Sequence, residues 1–116
     1  MRLEFEAPAP ANPRDRAGWQ QSIASAAQAA MIENGLHCSQ DNFVWVSADF
    51  YLPHSKARKK AQEHTVRPDT FTLTAAMRDG LKSIAFVDEA QVTDISIAKE
   101  YAVGMRGPRV EAVVVL

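Results

Sequence analysis

Apolar residues recur along this chain with two periods, at alternate positions in some stretches and at every third or fourth in others, and the contrast predicts its elements. Leu3 and Phe5 alternate with Arg2, Glu4 and Glu6, which predicts a short strand over 2–6. Ala7-Pro8-Ala9-Pro10-Ala11 reads as an extended connector, because proline fixes its own φ and keeps the residue before it out of the helical region. Asn12-Pro13 then supplies a helix start, an N-cap followed by proline at the first helical position. Trp19, Ile23, Ala26, Ala27, Ala30 and Met31 fall on one face of that helix, and Asn34-Gly35 stops it.

Strict alternation returns over 43–52. Val44, Val46, Ala48, Phe50 and Leu52 line one face there, with Phe43, Trp45, Ser47, Asp49 and Tyr51 on the other. Leu73, Ala76, Met77, Gly80, Leu81 and Ile84 mark a second helix from Thr70 to about Ile84. Two strands close the chain, over 91–101 with Ile95, Ile97 and Tyr101 on one side, and over 109–116 with Val110, Ala112, Val114 and Leu116. The turn between them is Gly104-Met105-Arg106-Gly107-Pro108. The order β-α-β-α-β-β predicts an α/β (α+β-like) fold, a mixed sheet with its helices on one face, in a single domain over 1–116.

Composition narrows this picture. With 116 residues there is room for one domain and one modest core, and 47% hydrophobic with 23% charged residues is ordinary for a soluble globular chain. No apolar run reaches the roughly 18 residues of a membrane span. The acids in Met1-Arg2-Leu3-Glu4-Phe5-Glu6 argue against a secretory signal. Cys38 is alone, which rules out an intrachain disulfide and makes a reducing cytoplasm the simpler home.

A net charge of −1 is a poor global signature for a nucleic-acid binder. The local distribution differs. Residues 54–67 hold Lys56, Arg58, Lys59, Lys60 and Arg67, with His64, against a single Glu63. Such a cluster is either a solvated basic loop or a phosphate-binding one. It runs directly into Asp69, which opens the second helix.

Asp69, and the pair Asp88-Glu89 beside the apolar start of the third strand, are the candidate metal ligands. Carboxylates so placed can hold a divalent cation, which polarises a phosphate and lowers the pKa of a bound water for phosphodiester hydrolysis. The plainer alternatives are an acid favoured at the positive end of a helix for Asp69 and a solvated turn for Asp88-Glu89. Asp79 lies well down the helix and reads as structural. His37, His54 and His64 lack the spacing of a zinc site, and His64 reads as a surface histidine that can touch phosphate.

The ordered set Arg67, Pro68, Asp69, Leu73, then Asp79 and Leu81, then Val87, Asp88, Ala90, Gln91 and Val92 resembles the RusA family of Holliday junction resolvases. The resemblance implies a small endonuclease of phages and bacteria acting as a homodimer with Mg²⁺ (or Mn²⁺). Its substrate would be branched DNA, the four-way junction, cut by paired nicks. It also implies that Asp69, Asp88 and Glu89 are the catalytic and metal-binding residues, with Glu89 standing where the family has the second Asp of its pair. Besides Glu89, a short N-terminal loop, and Thr72 where the family has Asn, the chain departs from the family at two positions that bear on catalysis. The family's second early Asp falls on Phe71, and its catalytically important Lys falls on Ala75. A phenylalanine cannot ligate a cation and an alanine cannot stabilise phosphate charge. Because Mg²⁺ commonly takes only one or two protein carboxylates, three remaining acids still suffice in number. Lys82, Arg67 and Lys60 are the available stand-ins for the lysine. The competing readings are a family member that binds DNA or a protein without cutting, and a small scaffold with no nucleic-acid role.

Chain geometry adds one expectation. A helix of about 15 residues is roughly 22 Å long, and the few residues after it reach back only about 14 Å. Asp69 and Asp88 of one chain are therefore expected to lie apart, so that a shared metal site needs two subunits.

Overall fold

Leu3, Phe5 and Ala7 are buried while their neighbours are exposed, so the N-terminal alternation is a strand, β1 (Arg2–Pro8). In this computed structural model, which describes residues 1–54 and 64–116, α1 (Arg16–Glu33), β2 (Val44–Leu52), α2 (Thr70–Leu81), β3 (Val92–Tyr101) and β4 (Arg109–Val115) follow. The fold is α+β, two helices on a four-stranded mixed sheet of order β1-β4-β2-β3. β2 and β3 are parallel neighbours, and β4 lies antiparallel between β1 and β2. Both crossovers, β1-α1-β2 and β2-α2-β3, therefore travel the same way across the sheet. With a single handedness that puts both helices on one face.

β2 and β4 each lose one end residue of the sequence reading, Phe43 and Leu116, and four other boundaries shift for local reasons. β1 runs on through Ala7 and Pro8, where a connector is expected, because β4 pairs with it as far as Pro8 opposite Arg109. The edge of a sheet tolerates such a proline. α1 begins at Arg16 with Asp15 as its N-cap, not at Asn12-Pro13. Asn12 instead closes a turn, its side chain accepting from the Arg14 N–H at 3.1 Å, and the Trp19 indole N–H donates to the Pro13 carbonyl at 2.8 Å. α2 stops at Leu81, three residues short of Ile84, because Ser83 takes a left-handed φ of 70°. The last predicted strand but one starts at Val92, since Glu89–Gln91 forms a 3₁₀ turn.

The core lies between the helices and the sheet. Trp19 of α1 is fully buried and meets Phe50 of β2 edge-on, ring centroids 5.0 Å apart. The helices approach closely at Gly80, where an added Cβ would sit 2.9 Å from the Gln20 carbonyl oxygen of α1. Asp79, beside it, pairs with Arg16 of α1 and with Arg78 of its own helix. It locks the helix pair, the structural role expected of it.

The topology sorts the chemistry by end. The carboxyl ends of β1, β2 and β3 share one edge of the sheet, and there the chain enters both helices. The 3₁₀ turn lies at the opposite edge, ahead of β3.

Candidate functional site

At the carboxyl edge, Asp69 is the N-cap of α2. Its Oδ1 accepts from the Thr72 N–H at 2.7 Å, and its other oxygen pairs with Arg67. The amide of Thr72, and then the charges of Arg67 and Lys99, hold its carboxyl below the usual carboxylate range. Lys99 of β3 reaches the same turn. Its ammonium donates to the carbonyls of Val66 at 2.8 Å and Pro68 at 3.0 Å, tying the segment ahead of Asp69 to the sheet. Burial pushes the Lys99 pKa down, and the Asp69 carboxylate opposes that.

At the other edge, Asp88 caps the 3₁₀ turn, accepting from the Ala90 N–H at 2.9 Å. Gln91 is the hub of this turn. Its amide oxygen accepts from the N–H groups of Val87 at 3.0 Å and Asp88 at 2.9 Å. Its amide nitrogen donates to the Ser39 carbonyl at 3.2 Å and the Asn42 carbonyl at 2.9 Å. Glu89 pairs at 2.9 Å with Lys82, the C-cap of α2, whose ammonium holds the Glu89 carboxyl below its ordinary pKa.

Asp69 and the Asp88-Glu89 pair thus stand at opposite ends of α2, a helix of 12 residues. At 1.5 Å per residue that is about 18 Å. Among the described residues no group of three His, Cys, Asp or Glu side chains is placed to hold a metal ion. The described carboxylates of one chain do not fit a cation by themselves.

The other predicted site residues divide. Arg67 is exposed and beside Asp69. Phe71, where a ligand is expected by resemblance, is 85% exposed on the first turn of α2. His64 is buried, not a surface histidine, because its ring packs against Tyr101, centroids 4.8 Å apart. Lys56, Arg58, Lys59 and Lys60 lie outside the described residues. The sheet face away from the helices carries Glu4, Glu6, Asp49, Asp94 and Glu111 at positions that alternate with the core. Three of these acids are balanced by arginines, Glu4 by Arg2, Glu6 by Arg106, and Glu111 by Arg106 and Arg109. Sequence reasoning missed Lys99, and it placed Gln91 in the family pattern without its role as the hub of the turn. Lys99 shares the inward phase of Ile95, Ile97 and Tyr101, and a lysine in that phase was the available signal. Gln91 was marked by its place in the ordered set that resembles the family, but its role was not, since its partners Ser39 and Asn42 are distant in sequence.

Asp69, Asp79 and Glu89 are all held below ordinary carboxylate pKa values, Asp79 first by its hydrogen bond to Arg78. A depressed folded-state pKa stabilises the fold above the unfolded value of about 4 and is lost as pH falls through the folded one. Stability is therefore expected to drop on acidification below about pH 4. In Asp79→Asn protein that slope should be shallower, with a loss at neutral pH of at most about 1 kcal/mol for these part-exposed pairs. Denaturant melts across pH check this, and an unchanged slope contradicts it.

The family model for Endodeoxyribonuclease RusA matches residues 10–114. The chain belongs to the RusA family. No curated protein matches it. The RusA match spans both helices, β2, β3 and all but the last residue of β4, so it takes in Asp69 and Asp88-Glu89 together. RusA nucleases act on branched DNA and generally depend on a divalent metal ion. Among the described residues no helix is long and apolar enough to cross a membrane.

Proposed function

We propose that this protein is a structure-selective endodeoxyribonuclease that resolves four-way DNA junctions during recombination and repair, in the cytoplasm and in a phage or prophage setting. The observation that carries the reading is the RusA match over 10–114, which includes both carboxylate positions. Because Asp69 and Asp88-Glu89 sit at opposite ends of α2, the working unit is a homodimer. In it, Asp69 of one subunit meets Asp88 and Glu89 of the other, as ligands for Mg²⁺ or Mn²⁺. A two-fold protein suits a two-fold junction, one site to each of two strands. The basic segment Lys56, Arg58, Lys59, Lys60, His64 and Arg67 adjoins Asp69 in sequence and supplies the phosphate contacts.

A second reading has its own support. Phe71 and Ala75 stand where the family has an Asp and a Lys, and Asp69 and Glu89 are already paired with Arg67 and Lys82. These features favour a member that binds junctions without cutting. A nicking assay on a synthetic four-way junction with Mg²⁺ or Mn²⁺, beside a linear duplex of the same sequence, separates the two. Nicks in opposite arms of the junction alone are expected. Tight junction binding with no nick under either metal makes the protein a binder.

A further inference from the structure

A cavity of about 240 Å³ opens at the carboxyl edge of the sheet, between the end of β2, the end of β3, the Asn12-Pro13-Arg14 turn and the segment leading into Asp69. Pro53 and Pro68 give it rigid apolar walls, and Arg14 and Arg67, both exposed, are the cations among its lining residues. Tyr101 and His64 line it as well, both buried.

Tyr101 is the unusual member. It is 6% exposed, and its hydroxyl is buried with no hydrogen-bond partner among the described residues. A buried phenol without a partner lowers stability, and phenylalanine in its place would avoid that cost. Nothing among the described residues packed on β3 calls for the oxygen. Its ring is stacked with His54, centroids 4.2 Å apart and planes 25° from parallel, and lies beside His64. Tyr101 and His64, the proline walls and two guanidinium groups line one small cavity, while His54 backs the Tyr101 ring.

That combination is the chemistry of an unstacked nucleotide. The base takes aromatic and apolar faces, a buried polar atom meets its hydrogen-bonding edge, and guanidinium groups take the flanking phosphate. Pockets for drug-sized ligands start at roughly 300 Å³, so this smaller one suits a single base. The geometry points to the Tyr101 cavity as a receptor for one unpaired nucleotide of branched DNA, held next to Asp69. This rests on the reading of the protein as a junction binder. It adds a contact to a base, where the basic segment supplies contacts to phosphate.

The test compares affinity for a four-way junction with one unpaired nucleotide at the branch point and for the same junction fully paired, in gel shifts with the full chain. The intact protein should prefer the unpaired form at least about fivefold, the lower end of what base stacking on aromatic groups supplies. Tyr101→Phe and Arg14→Ala should each bring that ratio toward one. Tyr101→Phe should also raise the melting temperature of the free protein, because it removes the unpartnered hydroxyl. A 5-iodouracil at the unpaired position should photo-crosslink to a peptide carrying His54, His64 or Tyr101. If the junction is bound but the ratio is one in the intact protein, or is unmoved in both variants, the receptor is refuted and the junction reading stands. A crosslink elsewhere refutes it too. If neither junction is bound, the junction reading itself fails, and the receptor with it.

Discussion

A mixture of Asp69→Asn and Asp88→Asn protein is expected to recover nicking of a four-way junction that neither variant performs alone. The reason is the position of the two carboxylates in one chain. Asp69 caps the N-terminus of α2, and Glu89, next to Asp88, is paired with the residue that caps its C-terminus. No rotation of side chains closes the length of a 12-residue helix. If the working site joins Asp69 of one subunit to Asp88 of the other, each homodimer of a variant carries one lesion in both sites. A heterodimer carries both lesions in one site and none in the other. Random exchange in an equal mixture then restores about a quarter of the sites, and each restored dimer holds only one, so single nicks return before paired ones. Each variant alone should fall by about 100-fold or more, the order seen when one charge-stabilising group is lost from an active site. No recovery from subunits shown to exchange, or a monomer by light scattering, refutes the shared site.

The second large effect is on stability, at Gln91. Its side chain is buried and joins the 3₁₀ turn to the segment before β2 through bonds to Val87, Asp88, Ser39 and Asn42. Alanine there strips partners from two backbone N–H groups and two carbonyls at once. Each such group left dry costs about 1–3 kcal/mol, and water entering the gap returns part of it, so a net loss of roughly 2–4 kcal/mol is expected. In a chain of this size that lowers the melting temperature by about 10 °C. Gln91→Glu is the sharper variant. Its carboxylate still accepts from Val87 and Asp88, but it sets a buried negative charge against the Ser39 and Asn42 carbonyls, so at neutral pH it should be no more stable than Gln91→Ala. A melting temperature for Gln91→Ala within a degree or two of the native one would show that the hub is dispensable. The position bears on function as well, since the turn that Gln91 holds is the one that presents Asp88 and Glu89.

Tyr101 and Lys99 bear on function at the other edge. Both come from the inward phase of β3, and both meet the segment leading to Asp69 only because β2 and β3 are parallel neighbours with α2 between them. Their chemistry therefore follows from the topology. A lysine in an inward phase is legible in the sequence, but the carbonyls of Val66 and Pro68 that receive it are not.

Local features were legible in the order of the amino acids alone. The two apolar periods set the existence, type and inward faces of both helices and all four strands, because burial of alternate or helical positions is the largest favourable term and is written residue by residue. The order of the elements set the mixed sheet, and the Arg67-to-Val92 pattern set the family. The tertiary structure decided what depends on partners far away in sequence. β4 extended β1 into the proline connector, and Asp15 rather than Asn12 capped α1 once Trp19 had pinned Pro13. Ser83 turned the chain out of α2 early, its N–H bonding the Phe86 carbonyl. Topology then set Asp69 and Asp88-Glu89 at opposite edges and drew Lys99 and Tyr101 toward Asp69. Spacing along a chain limits how far apart two residues can be, but only the packed sheet fixes which edge each one reaches.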